Sequence, residues 1–548
     1  MCRKGRSVPT PRLIAARGNP MFRSADHDKS THQSGPRTNA HRLDAFCRDD
    51  RGTVTIFALM MFVLMLAAGG IAIDVMRYET QRTQLQYTLD RAVLAAASLS
   101  QQEDPETVVI DYFATSGLAN YRLDVDVEEG LNYRRVSAAV EMDMQTYFMN
   151  MFGVSALTSP ARGAAEERIM DIEVSMVLDI SGSMGWSNKL RNMRNAANDF
   201  IDTMLDLNTA GDQQVSLSII PYNSQVNTGS TLASVFTLST EHDESTCTRF
   251  DPADYNSTAI NPGDTIERIA HFDYRYQYSY TTFRTPHCTT SDYAAILPWS
   301  NDAGDLHGLV NSLHANGNTA IDLGMRWGVG LLDPVAQPAL SSLIDAGEVD
   351  ADFEGRPYSY EEDEVLKIVI LMTDGENTSQ YDVAQAYKRG PSTVYRDPES
   401  GRTSAYLPNY DLYYWHHNGS YRYEPYGGAN AVPIPWTELW ATYSARMLAG
   451  EYYYYAGDWD YYYNLRYDAI ERYAGPNEAD ANLRNICDAA NEAGIIVFTI
   501  AFEAPTRGQN VMQHCATTPA HYYNAEGIEI SEAFASIATS INQLRLIQ

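Results

Sequence analysis

The sequence predicts an α/β protein whose C-terminal part is a doubly wound, Rossmann-like domain, and three observations predict it. Apolar runs at 171–179, 214–221, 365–373 and 495–502 have the length and flanks of strands buried on both faces. Helical spacing separates them, as from Lys189 to Leu207, where Leu190, Met193, Ala197, Phe200, Ile201, Met204 and Leu205 recur on one side. Strands that alternate with helices build a parallel sheet covered on both faces. Ahead of all this, Thr53 to Ile73 runs 21 residues without a charge, long enough to cross a bilayer as one helix. The expected order is a single transmembrane helix with a helical stem, a small α+β region, and the doubly wound domain with long insertions.

A chain of 548 residues with 44% hydrophobic content has material for two or three cores. Its net charge of −30 argues against nucleic acid or an anionic membrane face as the main partner. The charge is unevenly spread. Residues 1–51 hold eleven Lys/Arg against five Asp/Glu and little to bury, so they are expected to be a disordered basic tail; Met21 is a second candidate start. Residues 52–548 carry 29 basic and 65 acidic side chains. With Arg42, Arg48 and Arg51 just before the span, the positive-inside rule keeps the tail cytoplasmic. The acidic bulk then lies on the periplasmic or extracellular side of the inner membrane. A cleaved signal peptide is the rival, but the run is longer than an h-region and no A-x-A site stands clearly after it. A type IV prepilin signal cut after Gly52 would put Phe57 where that class wants Glu. The expectation is a retained anchor.

After Asp74 the helical pattern continues through Leu85, Leu89, Val93 and Ala96 into Ala95-Ala96-Ala97. Arg51-Gly52 before a Phe57-Ala58-Leu59 span, then Asp74, Arg77 and Leu85-Gln86-Tyr87-Thr88-Leu89-Asp90-Arg91-Ala92, resembles the N-terminal module of TadG-like Flp/Tad pilus-assembly proteins. The resemblance covers about residues 45–100 and implies Tad envelope components or pilus subunits as partners. Domain boundaries are placed at 1–51, 52–100, 101–168 and 169–548. Within the third, Leu123-Asp124-Val125-Asp126-Val127 and Val136 to Met142 read as half-buried strands. Asp124, Asp126, Glu128 and Gly130 superficially suggest a calcium loop. Val125 and Val127 alternate with the acids as in a strand, however, and the distal Glu of an EF-hand is missing.

The candidate site begins where the first doubly wound strand ends, at Asp179-Ile180-Ser181-Gly182-Ser183-Met184. One carboxylate and two hydroxyls at alternate positions offer three oxygens to a hard cation; the alternative is a polar turn whose serines cap the next helix. Gly317-Asn318-Thr319 precedes an apolar helix, and Thr373-Asp374-Gly375 ends a second apolar strand. Together these loops resemble the von Willebrand factor A domain and its metal-ion-dependent adhesion site (MIDAS), from about Asp171 to the C-terminus. The resemblance implies that Ser181, Ser183 and Thr319 ligate Mg²⁺ through hydroxyls, while Asp179 and Asp374 act mainly through bound waters. One position stays open for a partner's carboxylate. Mn²⁺ and Ca²⁺ are the alternative ions.

Three insertions interrupt that domain, near 240–300, 334–364 and 378–478. The second is acidic. The third holds seventeen tyrosines between Tyr406 and Tyr473. Tyrosine is apolar in body and polar at its tip, which suits either a recognition surface beside Asp374, dispensable for folding, or a self-packed subdomain. His416-His417 within it is a weak metal signal with no paired partner. Cys2 and Cys47 fall on the expected cytoplasmic side, and Cys247, Cys288, Cys487 and Cys515 beyond the membrane. Nearness in sequence favours Cys247–Cys288 and Cys487–Cys515 disulfides, the latter joining a helix to the loop after the 495–502 strand; four buried thiols are the alternative. With no HExxH, GxSxG or CxxC pattern, the reading is a non-enzymatic, membrane-anchored, metal-dependent adhesion component of Flp/Tad pilus assembly. A pilus-independent adhesin and a metal-dependent envelope hydrolase are its rivals.

Overall fold

The computed structural model describes residues 52–547 apart from 99–100, 102, 130–132, 209–214, 274–281 and 363. The basic tail, with Cys2 and Cys47, and Gly130 lie outside the described residues. The chain divides into two compact bodies, Met1–Thr80 with Met144–Leu157, and Gln81–Asp143 with Thr158–Gln548.

Helix α1, Gly52–Ala97, is continuous over 46 residues. Its first part exposes Val54, Phe57, Leu59, Phe62 and Leu66, and the segment is long and apolar enough to cross a membrane. In the same body the turn Met149–Phe152 is tied back to α1 through Asp74, whose carboxylate accepts from the amides of Tyr147, Phe148 and Met149 at 3.1, 2.7 and 2.8 Å.

The last turns of α1 belong to the second body. Leu85, Leu89, Val93 and Ala96 pack with Val109 and Phe113 of α2, Pro105–Thr115, on Val136 and Val140 of strand β2. Strands β1, Tyr121–Glu129, β2, Tyr133–Gln145, and β3, Ala156–Ile169, form an antiparallel sheet that Leu546–Ile547 extends beyond β3. Along β1 the acids Asp124, Asp126 and Glu128 are exposed while Val125 and Val127 are half-buried, so the acids are one face of a strand and not a calcium loop.

The remaining chain builds the doubly wound sheet. Its strands are β4, Asp171–Asp179, β5, Val215–Tyr222, β6, Leu297–Ser300, β7, Val365–Thr373, β8, Ile496–Phe502, and β9, Tyr522–Ala525. They lie in the order β9-β8-β7-β4-β5-β6, all parallel except the edge strand β6. Alternation along β4 feeds two cores. Ile172, Val174, Met176 and Leu178 meet α3, Lys189–Leu205, α4, Ala303–Ser312, and the C-terminal helix. Val177 faces the other way, onto α5, Ile321–Gly330, behind which lies α6, Pro476–Glu492. Cβ atoms built on Gly324 and Gly328 would stand 2.8 and 2.5 Å from Val177, so only glycine lets α5 lie this close to the sheet. Cys487 of α6 is bonded to Cys515, the last residue of α7, Thr506–Cys515. The sequence reading put Cys515 in a loop; the bridge instead ties helix to helix.

Asp322 of α5 is buried against the neck of the third insertion, accepting from Gln380 Nε2 at 2.7 Å. Burial pushes its carboxyl from the ordinary 3.8 up to about 7, against hydrogen bonds that lower it. The folded state therefore holds a proton that the unfolded chain releases. Stability from this group is fully present below about pH 4 and lost as pH rises through 7. Asp322→Asn is expected to raise the urea midpoint at pH 8 more than at pH 5; an equal shift at both would count against this.

The third insertion is a folded subdomain. Gln380–Val383 pairs with Ile470–Ala474 at its neck, and a five-stranded antiparallel sheet runs between them. Val394, Leu407, Trp440, Leu448, Tyr453 and Leu465 share one core with Ile269 and Phe272 from the first insertion and with the Cys247–Cys288 disulfide. Tyr452, Tyr453 and Tyr462 are buried, whereas Tyr410, Tyr423 and Tyr455 are exposed. The tyrosines thus divide between self-packing and open surface. His416 is occupied by the carbonyls of Thr403 and Tyr452, and His417 packs on Trp415 and Tyr426.

Candidate metal centre

Asp179 is the last residue of β4, Ser181 and Ser183 flank the first residue of the turn Gly182–Gly185, Thr319 stands just before α5, and Asp374 follows β7. Parallel strands bring the carboxyl ends of β4 and β7 side by side, so residues almost two hundred positions apart share one rim. Ser181 Oγ is 3.2 Å from Ser183 Oγ, which donates to Asp374 Oδ1 at 2.6 Å. Asp179 Oδ1 accepts from the Ser181 amide at 2.7 Å and Oδ2 from Thr373 Oγ1 at 2.6 Å. Thr319 faces the Asp374 loop, since a Cβ built on Gly375 would meet its Oγ1 at 3.1 Å. The rim is braced from below. Gly182 N donates to Gly317 O at 3.0 Å, and Gly317 takes a φ of +80°, where a side chain would strike Ser224. A Cβ on Gly508 of α7 would lie 2.0 Å from the Gly375 carbonyl, so that glycine lets the Asp374 loop settle.

The electrostatics are those of a site short of positive charge. Burial, and then the neighbouring Asp374, push the Asp179 carboxyl up to about 6, although bonds from Thr373 and Ser181 oppose the shift. Among the described residues no group of three or more His, Cys, Asp or Glu side chains stands at metal-binding spacing. The donor set at this rim is oxygen alone, two carboxylates and three hydroxyls, which fits a hard divalent ion and not a soft one.

Sequence reasoning missed several residues here. Lys189, at the start of α3, lies 3.1 Å from Asp374 Oδ2 and 3.6 Å from Glu503 Oε2. Its position ten residues after Asp179 carries no motif, but a lone lysine opening an amphipathic helix beside an acidic loop was a usable signal. Trp186 stands 72% exposed on the same turn as the serines. A cavity of about 300 Å³ opens beside Ile180 and Asn316, lined also by Asn223, Gln225, Asn227, Arg284 and His287. Among its described lining residues there is no carboxylate, in a chain of net charge −30.

Lys189 would compete with a divalent ion at this rim for Asp374. Replacing it by methionine removes the positive charge beside Asp374 and is expected to tighten Mn²⁺ binding about tenfold, roughly 1.4 kcal/mol. Calorimetric titration checks this, and weaker Mn²⁺ binding by Lys189→Met would make the lysine a support of the site and not a competitor.

The stem has its own signature in known proteins. Residues 52–99 match the Tad family, described as putative Flp pilus-assembly TadE/G-like. That match shows the resemblance read from Asp74, Arg77 and Leu85 to Ala92. No curated protein matches the chain in sequence. Among solved structures, the vWF domain of the type V pili tip protein Mfa5 from Porphyromonas gingivalis is 14% identical, with a TM-score of 0.32, over 69% of this chain and 98% of that one. The pilus adhesin RrgA from Streptococcus pneumoniae is 12% identical over 77% of this chain, with a TM-score of 0.27. Proximal thread matrix protein 1 from the mussel byssus, with a zinc-occupied MIDAS motif, is 9% identical over 68%, with a TM-score of 0.25. The chain spans about half the length of these last two, 49% and 46%.

Proposed function

We propose that this is a membrane-anchored binding component of a Tad-type pilus system, held in the inner membrane with its C-terminal domain outside the cytoplasm. Its doubly wound domain captures an acidic segment of a protein partner through Mg²⁺, with Mn²⁺ or Ca²⁺ as substitutes. The observation that carries this is the convergence of Asp179, Ser181, Ser183, Thr319 and Asp374 on one rim, where Lys189 is the one cation paired with either carboxylate among the described residues. Ser181, Ser183 and Thr319 would hold the ion by their hydroxyls, and Asp179 and Asp374 through water. A bound ion supplies Lewis acidity toward one further anionic oxygen. Trp186 offers an apolar contact at the rim of the kind that anchors protein interfaces. Arg284, which makes no ion pair or side-chain hydrogen bond with the described residues, faces the carboxylate-free cavity and suits a second acid on the partner. Binding is favoured over catalysis because Lys189, the cation beside the site, is held by Asp374 and Glu503 together. The Tad match on the stem, with the family's partners, favours pilus components over an unrelated surface as the target.

The test uses peptides carrying one or two aspartates, titrated into the full chain in detergent with Mg²⁺ or EDTA. Both peptides should bind only with Mg²⁺, the two-acid peptide about tenfold tighter, an advantage that Arg284→Gln should erase while Mn²⁺ binding stays unchanged. Equal binding in EDTA would overturn the metal reading. An advantage that survives Arg284→Gln would overturn the role of Arg284 alone.

A further inference from the structure

Beside the exit of the apolar helix, residues 147–154 read Tyr-Phe-Met-Asn-Met-Phe-Gly-Val, eight residues with no charge and, apart from the Tyr147 hydroxyl, one polar side chain, Asn150. A tip of this composition on a soluble domain would be expected to fold inward. Here it points out: Tyr147 is 67% exposed, Met151 82% and Phe152 62%, with Phe148 and Val154 also open. The turn is nevertheless well built. Its backbone closes through Val154 N to Met149 O at 3.1 Å and Thr146 N to Ser155 O at 3.1 Å, and Gly153 takes the left-handed φ of +89° that reverses the chain. Exposure is therefore a property of an ordered loop.

The placement of that loop identifies what covers it. Asp74 closes the uncharged run of α1, and its carboxylate takes three successive amides, those of Tyr147, Phe148 and Met149. The buried carboxylate is thereby satisfied at the end of the span, and the loop is fixed to that depth. Phe148 then reaches back along the helix, since a Cβ on Gly70 would stand 2.6 Å from its ring. Gly70 lies inside the run, four residues before Asp74, or about 6 Å deeper at 1.5 Å per residue. On the water side, the Arg77 guanidinium sits 4.0 Å over the Tyr147 ring and 3.6 Å from Asp74. A tyrosine and an arginine at one level, with phenylalanine and methionine beyond, is the side-chain order of a membrane interface.

We infer that the 147–154 loop is a second membrane contact, inserting Phe148, Met151 and Phe152 into the outer-leaflet boundary beside α1 while Asp74 pins it to the end of the span. Its partner is the lipid bilayer. This rests on reading α1 as a membrane anchor, and it does not depend on the metal centre.

The experiment places the photoreactive residue p-benzoylphenylalanine at Phe62 in the span, at Phe152 in the loop, or at Ile528, a 78% exposed position in the doubly wound domain. The full chain is reconstituted in nanodiscs of phosphatidylethanolamine and phosphatidylglycerol, irradiated, and analysed for lipid adducts by mass spectrometry. Adducts are expected from Phe62 and Phe152 and not from Ile528. In an Asp74→Ala background the yield at Phe152 should fall at least threefold while that at Phe62 holds. Adducts at Phe62 without any at Phe152, or protein adducts in place of lipid at Phe152, would overturn the loop contact and leave the anchor standing. No adduct at either position would overturn the anchor and the loop together, and an unchanged Phe152 yield in Asp74→Ala would overturn the pinning.

Discussion

Asp179→Ala is expected to abolish Mg²⁺-dependent capture of an acidic peptide while leaving the domain folded. The proposed site has two carboxylates, Asp179 and Asp374, and neutral hydroxyls otherwise, so losing one removes half of the fixed negative charge that would hold an ion. A fall of more than a hundredfold in Mn²⁺ affinity follows, about 2.8 kcal/mol or more. The fold should tolerate the change because the buried carboxylate is itself unfavourable there, as its upward shift to about 6 shows. That relief offsets the two bonds from the Ser181 amide and Thr373. Ser181→Ala and Ser183→Ala remove neutral ligands and should weaken binding more gradually, about tenfold each. EDTA on the wild type should reproduce Asp179→Ala, and Mg²⁺ should restore only the wild type. Peptide capture that survives both EDTA and Asp179→Ala would reduce any metal to a structural role.

Much of this was legible in the sequence because a strand buried on both faces leaves an uninterrupted apolar run. The observed β4, β5, β7 and β8 lie within one residue of the expected 171–179, 214–221, 365–373 and 495–502. Strands β6 and β9 were not legible, at four residues each, since Leu297–Ser300 is too short to show a period and includes Pro298. The rim residues were readable because their loops each follow a core strand or precede a core helix. Lys189 and Glu503 reach those residues through the packing of α3 and β8, and Thr373 reaches Asp179 through the pairing of β7 with β4; apart from the lysine at the helix start, no local pattern encodes these contacts. The helical stem was placed at 52–100, apart from the small α+β region at 101–168, yet its last turns are core to that region. The same Ala- and Leu-rich pattern serves a solvent-facing stem and a packed helix equally well. The tyrosine-rich insertion was ambiguous for a related reason: composition does not say which rings turn inward.

Lys388→Met is expected to destabilise the second body by about 3–5 kcal/mol, the range for removing one partner of a buried charge pair. Lys388 Nζ is fully buried, 2.6 Å from Asp382 Oδ2, 2.8 Å from Glu267 Oε1 and 3.7 Å from Glu241 Oε1, and it also donates to the Arg268 carbonyl. Glu241 has no hydrogen bond to either oxygen among the described residues, so this ammonium is its nearest compensation. Asp382 and Lys388 come from the third insertion and Glu241 and Glu267 from the first, so the network fastens the two insertions together beneath their shared core. Arg249 adds a second cation, 3.3 Å from Asp382 and 3.5 Å from Glu267, which is why the loss should stop short of complete unfolding. Arg396→Met is the control: its pair with Glu438 is 45% exposed on both sides, and breaking it should lose no more than about 1 kcal/mol. Urea unfolding of the two variants against the wild type decides it. On the recognition reading alone the tyrosine-rich insertion is a dispensable surface, and Lys388→Met would then unfold no earlier than Arg396→Met. A midpoint shifted severalfold further by Lys388→Met means that excising 380–474 strips Ile269 and Phe272 of their cover and strands Glu241. The insertion is then part of the fold that carries the site.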